Sequence, residues 1–201
     1  MAWANLGETM PLKLSMTVLL LAAGLAPLGA QDLGFQNPIS MFNYQSRIGI
    51  QGFLVSPQGD LRSAVDGRTG FQVGAHWSIT YDGGGELRPR VDYTRFDGGS
   101  LSFSSTLSTT TLQGAGVGVD YLRYLDGSHL GFYAMAGASI AWWYASYRFQ
   151  DNTQGTYPAA QVGIGHRFNQ ALSVEFNVGY GPFRPSMGAG DTVKLGAFYK
   201  F

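Results

Sequence analysis

His76 and Ser78 stand two residues apart in GFQVGAHWSITYD, residues 70–82. A histidine within reach of a serine hydroxyl is the core of a nucleophilic hydrolase, which also needs an acid to orient the imidazole. The same two residues read as a neutral imidazole packed in an interior, and that reading is taken here. The other histidines, His129 and His166, lie in separate segments, and the carboxylates are scattered. No pair of histidines has the helical spacing of a metal site, so neither metal nor cofactor is expected. The chain has no cysteine, which excludes disulfides, thiolate ligands and cysteine nucleophiles.

A second set of residues carries charge instead of reactivity. Arg47, His76, Arg88, Arg90, Asp92, Asp120, Arg167, Glu175 and Lys194 each fall on the polar side of a segment that alternates polar with apolar residues. If those sides face an enclosed interior, the charges must pair and hydrogen-bond, because a lone buried charge is costly. Two uses follow. The set can close the interior as a plug of ion pairs, or, because its bases outnumber its acids, line a narrow anion-leaning pore.

The elements that would position these residues are strands. Residues 70–82 put Phe71, Val73, Ala75, Trp77, Ile79 and Tyr81 on one face. The same two-residue period runs through 46–56, 87–96, 113–124, 130–144, 158–168, 171–180 and the last ten residues. That makes eight strands, and no helix is expected among them. Turn-forming stretches lie at 82–86 (DGGGE), 126–129 (DGSH) and 169–170, and longer polar connections near 57–69, 97–111, 146–156 and 181–190. Short turns at one end and long loops at the other are the asymmetry of a membrane barrel.

Composition separates that barrel from a soluble sandwich. Only 13% of the 201 residues are charged, against about 25% in soluble domains. The chain has 29 glycines and 14% aromatics. Its formal net charge is zero, which gives no footing for a nucleic-acid partner. Aromatics gather at both ends of the apolar faces: Tyr81, Phe132, Phe168, Tyr199 and Phe201 at the short-turn end, Phe71, Tyr93, Trp142, Tyr144 and Tyr180 at the other. Two aromatic girdles around an aliphatic band suit a bilayer. Turning strand 87–96 over would put Arg88 and Arg90 into lipid, at roughly 2–4 kcal/mol for each Arg near the midplane. Residues 1–30 hold Lys13, a short apolar run and Ala30, which predicts a signal peptide followed by one domain over 31–201; Met1 and Met10 both qualify as initiator.

The chain closes on TVKLGAFYKF, in which Leu195, Ala197, Tyr199 and Phe201 share one face. A final aromatic on an alternating last strand resembles the C-terminal signal of outer-membrane proteins, read by the barrel-assembly machinery. Residues 44–201 resemble the small eight-stranded outer-membrane barrels that include the OmpA transmembrane domain, OmpX and the opacity proteins. The resemblance implies an all-β, transmembrane, antiparallel up-and-down barrel of eight strands, monomeric, in the bacterial outer membrane. It implies contact with outer-membrane lipid and lipopolysaccharide, and with the assembly machinery and periplasmic chaperones during biogenesis. The expected role is structural or surface interaction (adhesion or protection), without enzyme activity; a small porin-like channel for ions or small or hydrophobic solutes is the alternative. HWSI at 76–79 is similar to the His-x-Ser-Asn element of outer-membrane lipid deacylases, but Ile79 replaces the Asn and the pair faces inward. The Ser/Thr-rich stretch 98–111 is the segment suited to adhesion.

Overall fold

The computed structural model describes residues 45–97, 109–147, 152–181 and 190–201. The expected signal peptide and most of the Ser/Thr-rich stretch lie outside them. Eight strands follow one another: β1 Gln45–Pro57, β2 Gly70–Tyr81, β3 Gly85–Asp97, β4 Thr109–Tyr124, β5 Gly131–Tyr147, β6 Thr153–Arg167, β7 Leu172–Tyr180 and β8 Thr192–Lys200. Each pairs antiparallel with the next, and β8 pairs with β1, so the sheet is a closed up-and-down barrel. Closure reaches the last residue. The Phe201 N–H donates to the Ile48 carbonyl at 2.9 Å, and the Lys200 N–H to that of Ala171 at 2.8 Å.

Alternation decides which side each residue takes. In β1, Gly49, Gln51, Phe53 and Val55 are buried, while Ile48, Ile50, Gly52 and Leu54 are exposed. The outer face is apolar and uncovered: Ile50 is 52% exposed, Leu54 64%, Val162 59% and Ile164 61%. A folded chain surrounded by water would bury such residues, and a continuous belt of them marks a surface meant for another medium.

The turns show why glycine stands where it does. Gly83 and Gly84, between β2 and β3, have φ of 83° and 81°, which only glycine adopts cheaply. Gly84 also lies against the β4–β5 turn, where an added Cβ would come within 2.7 Å of the Gly127 Cα. In that turn the Asp126 carboxylate accepts from the Ser128 N–H at 2.9 Å and its hydroxyl at 2.8 Å, which holds the carboxyl below its ordinary pKa of 3.8.

Two features differ from the sequence reading. Strands β4 and β6 start earlier, at Thr109 and Thr153. Residues 153–157 lack an apolar face, but register carries them, since Thr153 still pairs with Ala145 and Tyr157 with Ala141. Backbone pairing continues along a hairpin after the side-chain pattern has ended. The β1–β2 connection also contains a short helix, α1, Gly59–Ala64. Leu61 and Val65, four residues apart and so on one face, are 1% and 0% exposed. They pack with Phe53, Val55, Phe96, Leu112, Ala145 and Phe198. Six residues are too few to announce a helix by periodicity; burial of one face over the barrel mouth forms it.

Several inward glycines make room for bulky neighbours. At Gly165 an added Cβ would overlap the ring of Tyr133, itself 1% exposed. Gly165→Val is expected to cost about 1–3 kcal/mol by overpacking, measured as a lower urea midpoint for the heat-modifiable gel band. Gly52→Ala, where nothing lies within 4 Å of the new methyl, should change stability by no more than about 0.5 kcal/mol.

Candidate functional site

The lumen is a charged interior. Glu86, Asp92, Asp120 and Glu175 are buried in it with Arg88, Arg90, Arg167 and Lys200, four acids with four bases. These eight balance, and the half-buried Lys194 leaves the lumen one base in excess. Glu86 and Lys200, one acid and one base, were both outside the expected set; the balance arises because Arg47 lies at the rim and Lys194 is only half-buried. Glu86 was assigned to the DGGGE turn, but β3 begins at Gly85, so Glu86 points inward as the strand's first acid. Its inward alternation with Arg88, Arg90 and Asp92 was the signal that would have found it.

Glu86 is the hub at the short-turn end. One carboxylate oxygen accepts from Ser78 Oγ at 2.7 Å and Lys200 Nζ at 2.5 Å. The other accepts from Arg167 Nη2 at 2.7 Å and the Tyr124 hydroxyl at 3.1 Å. Each of these partners sits at or near the short-turn end of its own strand, β2, β8, β6 or β4, so one carboxylate ties four strands to its own β3. The Arg167 guanidinium also lies over the Tyr124 ring, 4.9 Å from its centroid.

Arg88 is the second hub. It donates to Glu175 through both terminal nitrogens, at 2.5 and 3.0 Å, a two-pronged fit of guanidinium to carboxylate. It reaches Asp120 Oδ2 at 3.0 and 3.3 Å. Its flat face lies 4.1 Å from the Phe198 ring centroid, a cation–π contact away from water. Arg90 continues the chain, donating to Asp120 at 3.1 Å and pairing with Asp92, which Gln51 also contacts. Gln161 and Tyr133 complete the shells of Asp120 and Glu175 at 2.9 Å each.

Two of the expected residues stand apart. Arg47 does not join the network. It is the third residue of β1, at the rim, where Gln170 of the β6–β7 turn is near enough to accept its hydrogen bond at 2.7 Å. His76 is inward and 3% exposed, yet neither ring nitrogen has a hydrogen-bond partner among the described residues. It meets Phe198 edge-on at 5.4 Å. The Ser78 hydroxyl is committed to Glu86, so His76 and Ser78 do not form the nucleophile–base bond that their spacing allows. Lys194 is half-buried and donates to Gln161 Oε1 at 3.2 Å. Above the ion pairs, the α1 cluster packs at the mouth, and a chamber of about 80 Å³ remains beside it, walled in part by Val55, Leu61 and Trp143. Of the terminal residues, Leu195, Ala197, Tyr199 and Phe201 all face outward and are exposed.

No family model matches the chain, and no curated protein does. Solved structures do. The chain is similar to Neisserial surface protein A, with a TM-score of 0.53 and 14% identity over 79% of this chain and 99% of that one. The N-terminal β-barrel domain of Pseudomonas aeruginosa OprF gives 0.52 and 12%, over 79% of this chain and 100% of that domain. The Yersinia pestis outer membrane protein Ail, in a phospholipid bilayer nanodisc, gives 0.51 and 12%, over 78% and 100%. The fold is that of the small eight-stranded outer-membrane barrels.

Arg88→Met leaves Glu175 and Asp120 without their shared partner. Removing one member of a buried ionic cluster is expected to cost about 3–5 kcal/mol, read as a lowered urea midpoint of the folded band in detergent. The lipid-facing control Leu54→Val should leave the midpoint within about 1 kcal/mol.

Proposed function

We propose that the protein is an integral barrel of the bacterial outer membrane with a closed lumen, serving a structural or surface-interaction role such as adhesion or protection, without enzymatic chemistry. The observation that carries this is the cross-linked interior: a network of buried ion pairs with Leu61 of α1 and the adjoining Val65 packed over the mouth. An eight-stranded barrel has an interior that side chains can fill, and here polar groups meet polar groups across it. The outward apolar belt supports the bilayer as its surroundings. Backbone groups in lipid must be paired internally, and a closed sheet does this without an edge. Closure also supports a monomer.

The structural neighbours add context. One is a surface protein by name and another an outer membrane protein studied in a bilayer. The exposed Leu195, Ala197, Tyr199 and Phe201 remain our proposed contact for the assembly machinery, with periplasmic chaperones holding the chain beforehand. Outer-membrane lipid and lipopolysaccharide are the proposed partners of the belt. Arg95 stands near the long-loop end of β3, on its outward side, paired with Asp97 at 2.8 Å. A porin-like channel stays the second reading: with the half-buried Lys194 the lumen still carries five bases to four acids, and conductance decides between the two.

Single-channel recording tests the closed lumen. The refolded mature chain, shown folded by heat-modifiable migration, is expected to give no discrete steps in planar bilayers; salt-dependent steps would establish the channel instead. Membrane residence has its own test. Val162 is outward in β6 and pairs with Ala136 and Val178, away from both ends. Val162→Arg is expected to cost about 2–4 kcal/mol when folded into lipid vesicles; an unchanged unfolding midpoint would contradict a lipid-facing β6.

A further inference from the structure

The chamber beside the α1 cluster is polar on several sides. Gln72, Arg90, Asp92, Ser139, Thr192 and Lys194 are among its walls. Its volume of about 80 Å³ is several times the roughly 10–15 Å³ that one enclosed water requires. Most charges at its wall are already answered. Arg90 is held by Asp120 and Asp92, and Asp92 by Arg90 and Gln51.

Lys194 is different. It forms no ion pair among the described residues, and its one hydrogen bond runs to the neutral oxygen of Gln161. Gln161 cannot turn to serve it better, because its amide nitrogen is bound to Asp120 at 2.9 Å. Asp191, three residues before Lys194, does not line the chamber. The lumen thus carries four acids and four bases in balance, plus the ammonium of Lys194 facing a polar space. A charge removed from bulk water and left unpaired is costly, and a counter-ion in contact relieves that cost.

Gln72 is a second polar group of the wall with an unmet hydrogen bond. It is 4% exposed, lines the chamber, and its amide oxygen has no hydrogen-bond partner among the described residues. A half-turn of the amide would present its two N–H donors instead. The hydroxyls of Ser139 and Thr192 add two rotatable donors on the wall.

We propose that this chamber is a binding site for one small oxyanion of carboxylate or phosphate chemistry. Lys194 supplies the charge, and the Gln72 amide and the two hydroxyls supply directional hydrogen bonds. The inference goes beyond the closed-lumen reading and does not depend on it, since a conducting barrel could hold the same anion.

The test is stability of the refolded mature barrel in detergent against acetate and phosphate, each titrated at constant ionic strength with chloride. The heat-modifiable gel shift reads the folded fraction. A saturable rise is expected with at least one oxyanion, reaching about tenfold in the folded-to-unfolded ratio at about ten times Kd. Lys194→Met should remove that rise while folding at least as well as the parent in chloride alone, because it deletes a charge with no salt bridge among the described residues. Gln72→Leu should raise Kd several-fold. Arg47→Gln, at the rim, should keep the full rise. The proposal fails if neither oxyanion gives a saturable rise, if the rise follows the accompanying cation, or if it persists in Lys194→Met. Loss of stability by Lys194→Met in chloride would also overturn it, because the lysine would then be a structural ion-pair partner.

Discussion

Closure of the backbone ladder is the constraint on which the rest depends. A sheet with an apolar outer face in lipid has no solvent to satisfy an open edge. The chain meets this by pairing β8 with β1 from Thr192–Pro57 to Lys200–Gly49 and tying the Phe201 amide to Ile48. The pairing of the last strand with the first and the pinned terminus follow from that requirement. So does the division of residues, since a closed sheet has an inside and an outside and alternation assigns every side chain to one of them.

Closure turns the polar face into an interior. Charges that would be solvated on an open sheet are enclosed within about one side chain's reach of each other. The result is two hubs. Glu86 gathers Ser78, Tyr124, Arg167 and Lys200, and Arg88 gathers Asp120, Glu175 and the Phe198 ring. The contacts to Arg167, Lys200, Glu175 and Phe198 cross the barrel and join strands that are not neighbours, so they brace its cross-section as the ladder braces its wall. Buried ion pairs need not add net stability. Their demonstrable effect here is occupancy: polar groups fill space that would otherwise admit water or solute.

Room for those side chains comes from small residues opposite them. Tyr133 lies over Gly165, and Asp120 packs against Gly137. The high glycine content therefore serves packing inside the barrel as well as the turns. Where small residues are not matched by a large neighbour, space remains. Gly116, whose nearest neighbours are Ala141 and the Ile140 backbone, borders such a place in the chamber, where Lys194 stands beside the paired Arg90 and Asp92.

The sequence by itself determined the strands, their inward and outward faces and the arrangement of short and long connections. These depend on a two-residue period and on turn chemistry, both local properties of the chain. It also placed most of the lumen residues, because Arg88, Arg90, Asp92, Asp120, Arg167 and Glu175 announce their side by alternation. Only the tertiary structure decided who meets whom. Glu86 is 114 residues from Lys200 and 81 from Arg167, and Arg88 is 87 from Glu175. Such pairings depend on strand stagger and on the curvature of a closed wall, which no local pattern encodes. The same holds for Arg47, inward by alternation but at the rim by height, and for α1, whose Leu61, with Val65 just beyond the helix, is buried only because the barrel mouth is there to cover it.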